Sequence, residues 1–356
     1  MTVSAERLFE FTKAILKSIG CPDADAHEAS AVLLSADLRG VDSHGVARLS
    51  GYIRLYEKGR LNPKPNVRVI HETPSTAVID GDGGLGLVVG PIAMDLAIKK
   101  AQTAGTGWVA VRNSNHFGIA GYHAMRALEK DCIGWAFTNA SPLVSPTFGK
   151  ERLIGTNPIC VAIPAKNQPP FVLDMATTTA ANGKLEVLQR KNQDAPYGWI
   201  ADKEGNVTTD AHGLKKGGSM LPLGGDREHG SHKGYGLGAL VDILSGVLSG
   251  ANYGPWVPPF VSFIDPLDEK VGEGLGHFFG AMRVDAFRPA DEFKSHMDNW
   301  ITRFRTSTPI DPNQPVLIPG DPEREMEAIR RKEGLHLHNA VVEDLQNLGR
   351  TFGIVL

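Results

Sequence analysis

The chain has 356 residues, 42% of them hydrophobic and 22% charged, which is the composition of a soluble enzyme of one large or two smaller domains and excludes disorder, collagen and coiled coil. With 37 basic against 40 acidic side chains the net charge is −3, so there is no electrostatic footprint for nucleic acid or an anionic membrane, and a small-molecule partner is expected. Cys21, Cys132 and Cys160 form neither a disulfide framework nor a zinc spacing, and the N-terminus carries no apolar targeting segment, so a reducing, cytoplasmic location is expected.

Residues 4–20 and 23–39 read as amphipathic helices, the first closed by Gly20 and the second opened by Pro22-Asp23. A third helix is predicted from a cap at Asp42 or Ser43 to Gly59, ahead of Pro63 and Pro65. From Thr76 the pattern changes to short β-rich runs, TAVID, GWVAVRN, IGWAFTN, ICVAIP and FVLDMA. Helical patterns such as LVVGPIAMDLAIKKAQ and IAGYHAMRALEK alternate with some of them, which predicts a central α/β domain. Residues 189–230 read as turns and hairpins around a core. The apolar stretch from Gly234 to Gly254 contains Asp242 and six glycines, so it reads as a buried, closely packed helix and not as a membrane span. A strand candidate, GHFFGAMRVDAF, follows, then helices near 291–306, 322–333 and 340–348. The division expected is a helical part over 1–70, a central cofactor-binding α/β domain over 71–265, and a strand with helices over 266–356.

Glycine is over-represented, with 40 residues, roughly 11% where about 7% is usual. Gly81, Gly83 and Gly86 even match G-x-G-x-x-G between a strand and a helix. A dinucleotide loop of the Rossmann kind needs an acid at the end of the next strand, however, and Arg112-Asn113-Ser114 stands there. Asp80 and Asp82 would also set negative charge beside a pyrophosphate, so these glycines read as a tight turn.

Polar clusters mark the chemistry. In Asp42-Ser43-His44-Gly45-Val46-Ala47-Arg48, a helix capped at Asp42 or Ser43 would put His44 and Arg48 on one face. Arg48 can then grip a carboxylate through its planar fork while His44 exchanges a proton with the adjacent oxygen; the competing reading is a capped surface helix with an incidental His and Arg. His116 follows the strand GWVAV and precedes a helix, where α/β proteins bind ligands; it can equally be a loop histidine bonded to backbone. Strand ends add Asn139 to Pro142, Gly155 to Pro158 and Asp174 to Thr178, and Asp174 is placed to orient a histidine. Ser231 to Gly236 opens the glycine-rich helix with His232 and Lys233, a cation and backbone donors suited to a diphosphate. No H-E-x-x-H or G-x-S-x-G motif occurs, so no metal site and no serine nucleophile is expected.

Taken in order, DLRGVDSHGVARL at 37–49, NSNHFGIAGYHA at 113–124, GTNPICVAIP at 155–164, LDMATT at 173–178, HKGYGL at 232–237 and IPGDPE at 318–323 resemble the malate/L-lactate dehydrogenase family of the non-Rossmann type. That family includes ureidoglycolate dehydrogenase, 2,3-diketo-L-gulonate reductase, sulfolactate dehydrogenase and Δ1-piperideine-2-carboxylate reductase. The resemblance implies a non-Rossmann NAD(P)-binding α/β fold with a central mixed sheet flanked by helices, the N- and C-terminal helical parts packed together, and a homodimer. It makes His44 the proton donor to the carbonyl, with family members differing on whether that residue or the one at His116 has the role. It makes Arg48 the carboxylate anchor, with Thr156 beside the substrate, and Ser43 with Asp174 a relay that orients His44. NAD or NADP, NAD being favoured, would lie along His116, Phe117, Gly118, Ile119 and Ala120, with Ser141, Asp174, Met175, Ala176, His232, Lys233, Pro319 and Gly320. Thr178, which follows the Ala176-Thr177 pair, and Asp321 depart from the serine and glutamate common in the family.

The expected reaction is hydride transfer between a nicotinamide and C2 of a small 2-hydroxy/2-oxo acid, malate/oxaloacetate first. L-lactate, ureidoglycolate, diketogulonate and a cyclic imino acid are the alternatives within the family, and a metal-dependent hydrolase using His44, His116 and His232 is the alternative from another class.

Overall fold

The computed structural model describes residues 1–356. Strand β1 (Thr2–Val3) precedes helix α1 (Ala5–Ser18), whose N-terminus is capped by Ser4 Oγ accepting from the Arg7 amide at 3.2 Å. Leu8, Phe11 and Ile15 recur at helical spacing and form the buried face of α1 against α2 (Asp23–Leu38). Each such fully buried side chain contributes about 1.5–3 kcal/mol. The predicted third helix starts later than its cap residues suggest. Two 3-10 turns, Asp42–His44 and Val46–Arg48, are separated by Gly45, and α3 runs only over Leu49–Glu57.

The central sheet is assembled from β2 (Arg68–Glu72), β3 (Thr76–Gly84), β4 (Thr106–Ser114), β5 (Cys132–Thr138), β6 (Ile159–Ile163) and β7 (Phe171–Met175), together with a strand from much later in the chain. β2 carries no signal picked out in the sequence; its five residues are exposed at the sheet edge. Helices α4 (Gly86–Ala104) and α5 (Ala120–Met125) cover one face. After α6 (Asn182–Arg190), the turn-rich segment contains β8 (Ile200–Ala201), β9 (Val207–Thr208) and β10 (Ser219–Met220), a small antiparallel sheet around its own core.

Helix α7 (Ser231–Asp242) continues as a π-helical turn over Ile243–Val247. Contrary to the expectation of a buried helix, one face is open, with Leu240, Ile243, Val247 and Leu248 all exposed. The strand β11 (Leu275–Arg283) then enters the middle of the large sheet, giving the order β2-β3-β4-β11-β5-β6-β7. Only β3 and β4 run parallel; every other neighbour pair is antiparallel. The sheet is therefore mixed and not of the parallel Rossmann kind. Gly280 lets the Trp108 ring cross β11, since a Cβ there would lie 2.3 Å from it.

Helices α8 (Ala290–Arg305) and α9 (Asp321–Glu333), strand β12 (Leu335–His336) and α10 (Asn339–Phe352) complete the chain. β12 pairs with β1, and Leu335, Val342 and Leu345 join the core of α1 to α3, so the two ends of the chain close one helical unit. No helix is long and apolar enough to cross a membrane.

The glycine turn at 81–86 packs on the protein itself. A Cβ at Gly86 would meet the Asn115 carbonyl at 2.1 Å, and one at Gly81 the Asn113 carbonyl at 2.9 Å. Asp80 accepts from Arg112 Nη2 at 3.1 Å and Asn113 Nδ2 at 2.9 Å. The residues standing where a ribose-binding acid would be needed are thus paired with the turn's own acid.

Candidate active site

The site grows from the end of α2. The buried Asp37 carboxylate accepts from the Val46 amide at 2.8 Å and packs under Gly45, where a Cβ would lie 2.0 Å from Oδ1. This contact breaks the chain into the two 3-10 turns, so His44 and Arg48 occupy successive turns and not one α-helical face. They nevertheless converge, because Arg48 Nε donates back to the Ser43 carbonyl. The Ser43 hydroxyl is 2.9 Å from His44 Nδ1.

From α3, the buried Tyr52 places its hydroxyl 2.7 Å from His116 Nδ1. His116, in the connection from β4 to α5, stacks on His44 with ring centroids 5.6 Å apart and planes at 23°. Its other face meets Phe260 at 4.7 Å. Phe260 is held in turn by Ser141 Oγ, which accepts from its amide at 2.8 Å, and by Arg54, which donates to its carbonyl. Arg60 Nη2 donates to the Pro259 carbonyl at 3.0 Å.

The two imidazoles are not equivalent. At His116, Nδ1 receives the Gly118 amide at 3.3 Å as well as the Tyr52 hydroxyl, so the neutral ring carries its proton on Nε2. At His44, Nδ1 faces only the Ser43 hydroxyl, and when the serine accepts, Nε2 is left basic. Burial pushes His44 down to about 4, with the Arg48 charge adding to it. Burial, then the charges of His44, Arg48 and His277, holds His116 well below the usual histidine range. Burial raises the Tyr52 phenol, which therefore stays protonated. At neutral pH the site presents one imidazole nitrogen that takes a proton and one that donates a hydrogen bond.

Other expected site residues fall elsewhere. Asp174 does not orient His44: its Oδ2 accepts from the Gly121 amide at 2.7 Å, and neither Ser43 nor His44 is among its partners. Ser43 bonds His44 and Asp174 bonds Gly121, with no hydrogen bond between the two pairs, so the expected Ser43–Asp174 relay is not assembled within the chain. Asp174 lines a cavity of about 300 Å³ with Leu317, Ile318, Pro319, Gly320 and Glu323. Pro319 is pinned there by its carbonyl accepting from the Val172 amide at 3.0 Å. Two sequence-distant segments expected to hold the cofactor thus line one depression.

Phe117 is fully buried and stacks on His277 at 4.9 Å, which makes it a core residue behind His116 and not a cofactor wall. Gly118, at φ +79°, Ile119 and Ala120 are buried as well, with Val32 and Leu87 against Gly118. The Thr156 carbonyl accepts from the amide and hydroxyl of Thr177, an internal brace. Met175 and Ala176 are partly exposed beside Asp174. His232 and Lys233 are exposed on the first turn of α7, His232 beside Arg227 at 3.0 Å, and neither is a wall of the Asp174 cavity. No group of three or more His, Cys, Asp or Glu side chains converges as metal ligands, so His44, His116 and His232 do not form the triad a hydrolase would need.

Sequence reasoning missed Tyr52, Phe260, Gly183 and Glu186. Tyr52 follows Arg48 by four residues, a spacing that would have found it. Gly183, at the start of α6, touches Ser43 so closely that a Cβ would lie 2.3 Å from the serine Cβ. Phe260 and Glu186 reach the site only through packing and have no local signal.

An arginine beside two imidazoles whose Nε2 atoms make no hydrogen bond within the chain, next to a mixed α/β sheet, suits an oxidoreductase of 2-hydroxy or 2-oxo acids that uses a nicotinamide cofactor. The family model described as malate/L-lactate dehydrogenase matches residues 3–346, and the chain belongs to that family. It is 45% identical over 353 residues to malate dehydrogenase of Pyrococcus horikoshii, covering 99% of this chain and 96% of that protein. Against L-sulfolactate dehydrogenase of Methanocaldococcus jannaschii it is 40% identical over 341 residues, covering 96% and 94%. The crystal structure of malate dehydrogenase from Entamoeba histolytica superposes with a TM-score of 0.92 at 35% identity, covering 100% of this chain and 99% of that one.

Proposed function

We propose that the protein interconverts malate and oxaloacetate with NAD, using His44 as acid/base and Arg48 as the carboxylate anchor. The observation that carries this is the convergence of Arg48 with two stacked imidazoles whose Nε2 atoms are both free. When bound, the nicotinamide supplies or accepts the hydride at C2. In the oxidation direction His44 Nε2 takes the hydroxyl proton while His116 Nε2–H donates to the same oxygen as it becomes a carbonyl. Tyr52 and Gly118 hold His116 in the donating tautomer. Phe260 covers the face of His116 away from His44 and excludes water there.

A four-carbon diacid is favoured over lactate by a cavity of about 540 Å³ that adjoins Arg48 and is also lined by Lys215, a cation available to a distal anionic group. The Asp174 depression fits a nucleotide by its polar lining: a carboxylate whose Oδ1 makes no hydrogen bond within the chain and can accept from ribose hydroxyls, beside the main chain of Pro319 and Gly320. Its charged walls are Asp174 and Glu323, which would repel a 2′-phosphate, so NAD is favoured over NADP. Asp174 to Ala176, Pro319 and Gly320 would hold the cofactor, with Ser141 acting through Phe260.

The apolar face of Leu240, Ile243, Val247 and Leu248, 46–57% exposed, supports a homodimer, since a soluble monomer seldom leaves such a stripe open. The deciding assay is NADH and NADPH oxidation against a panel of 2-oxo acids. Oxaloacetate with NADH is expected to turn over fastest, and no turnover with any acid would end the proposal. Sedimentation of wild type and Leu240→Lys checks the dimer.

A further inference from the structure

Arg48 is already occupied by a carboxylate. Its Nε is spent on the Ser43 carbonyl, which turns the Nη1/Nη2 edge outward toward Glu186 of α6. Nη1 lies 3.5 Å from Oε1 and Nη2 3.4 Å from Oε2. Two parallel contacts from one guanidinium to one carboxylate are the arrangement by which arginine holds a carboxylate ligand. Glu186 therefore covers the same edge that a substrate acid would use.

The pairing is loose. Both distances are at the outer limit of hydrogen bonding, and the two side chains are 17% and 28% exposed, within reach of water. Glu186 also has somewhere to go. Asn182 Nδ2 donates to its Oε1 at 2.9 Å and Arg190 Nη2 lies 3.8 Å from Oε2, one turn before and one turn after it on the same helix. Arg48 and Glu186 together line the cavity of about 540 Å³ through which an acid can reach the pair.

We propose that Glu186 is an internal competitor for the substrate carboxylate, filling the Arg48 fork in the free enzyme and passing to Asn182 and Arg190 when a 2-oxo acid binds. The inference rests on Arg48 being the carboxylate anchor. Its consequence is selectivity: only a ligand that brings its own carboxylate restores what Arg48 loses, whereas a neutral ester leaves Glu186 in place. Apparent affinity for the acid is lowered by the fraction of enzyme in which the fork is free.

The test is steady-state kinetics with oxaloacetate and NADH, together with calorimetric titration of oxalate into the enzyme–NAD complex. Glu186→Gln is expected to lower the oxaloacetate KM and the oxalate Kd by about twofold to fivefold, the scale of a partly exposed ion pair, with kcat moving less than KM. Glu186→Asp keeps the charge but is one methylene too short to span the fork, so it should follow Glu186→Gln. Arg190→Met, which removes the second partner, should raise KM. A KM that falls in Glu186→Gln but not in Glu186→Asp would reveal mere charge repulsion and overturn the proposal. So would weaker oxalate binding by Glu186→Gln, which would make Glu186 a support for Arg48. Undiminished oxalate binding by Arg48→Met would instead remove the anchor reading itself, whatever the Glu186 variants do.

Discussion

Four histidines sit in two groups of packed rings, His44 with His116 and His123 with His277 around Phe117, and the two pairs differ in exposure. His277 is fully buried on β11, with Nδ1 2.8 Å from Thr138 Oγ1 and Nε2 2.8 Å from Ser114 Oγ, and burial drives it down to about 3. His123 bonds the Phe117 carbonyl through Nε2 at 2.8 Å and lies against Gly90. His44 and His116, both partly exposed, each engage Nδ1 and leave Nε2 unspent. All four are shifted toward the neutral form. A lowered pKa therefore does not distinguish a working histidine from a structural one, and neither does an unpaired nitrogen alone, since the buried Nδ1 of His123 has no partner either; His44 and His116 differ in carrying their unpaired nitrogen on rings that are not sealed in the core.

That contrast can be broken experimentally. His44→Asn should lower kcat about 10²- to 10⁴-fold in both directions without a comparable loss of stability. If His116→Asn proves the costlier of the two, the acid/base and hydrogen-bond roles must be exchanged. Arg48→Met should raise KM for the acid about 10- to 100-fold, the loss of a charge-assisted fork, while KM for NADH stays. His277→Ala should act on the other property: chemical denaturation should show a loss of about 2–3 kcal/mol, with Ser114 and Thr138 left unpaired, and kcat of the folded fraction near wild type.

The pH profile sharpens the same point. Oxidation needs His44 neutral, and with its pKa at about 4 the base form is complete above pH 5. The kcat/KM for hydroxy-acid oxidation, which reports the free enzyme, should therefore be level from pH 5 to 8. Reduction needs the proton on His44, so its kcat/KM should fall as pH rises through that range. A limb near 6.5 in the oxidation profile would show that burial does not depress His44. The smallest effect is expected for Tyr52→Phe, about threefold to tenfold in kcat, since Gly118 still donates to His116 Nδ1.

Much of this was legible in the residues. The periodicity of 4–20 and 23–39 marks α1 and α2, the β-rich runs mark β3 to β7 and β11, and the absent acid after GWVAV excludes a Rossmann loop. These features depend on hydrogen bonds and side-chain alternation within a few residues, so the chain carries them locally. His44, Arg48 and His116 were also visible as polar residues at helix starts and strand ends. Their mutual arrangement was not. Gly45 looked compatible with one continuous helix until Asp37, eight residues earlier, is seen to take the Val46 amide and fill the space beside it.

What tertiary structure alone decided lies between residues far apart in sequence. Tyr52 meets His116 across 64 positions, and Glu186 meets Arg48 across 138. β11 divides a sheet whose neighbours precede it by more than a hundred residues, and Asp174 is carried away from His44 to the Pro319-Gly320 loop. No short-range pattern encodes such pairs, because they arise when the two ends of the chain close one core and the sheet is completed from its middle. The sequence determined which residues could do the chemistry; the packing determined which nitrogen each histidine keeps free and which carboxylate Arg48 holds first.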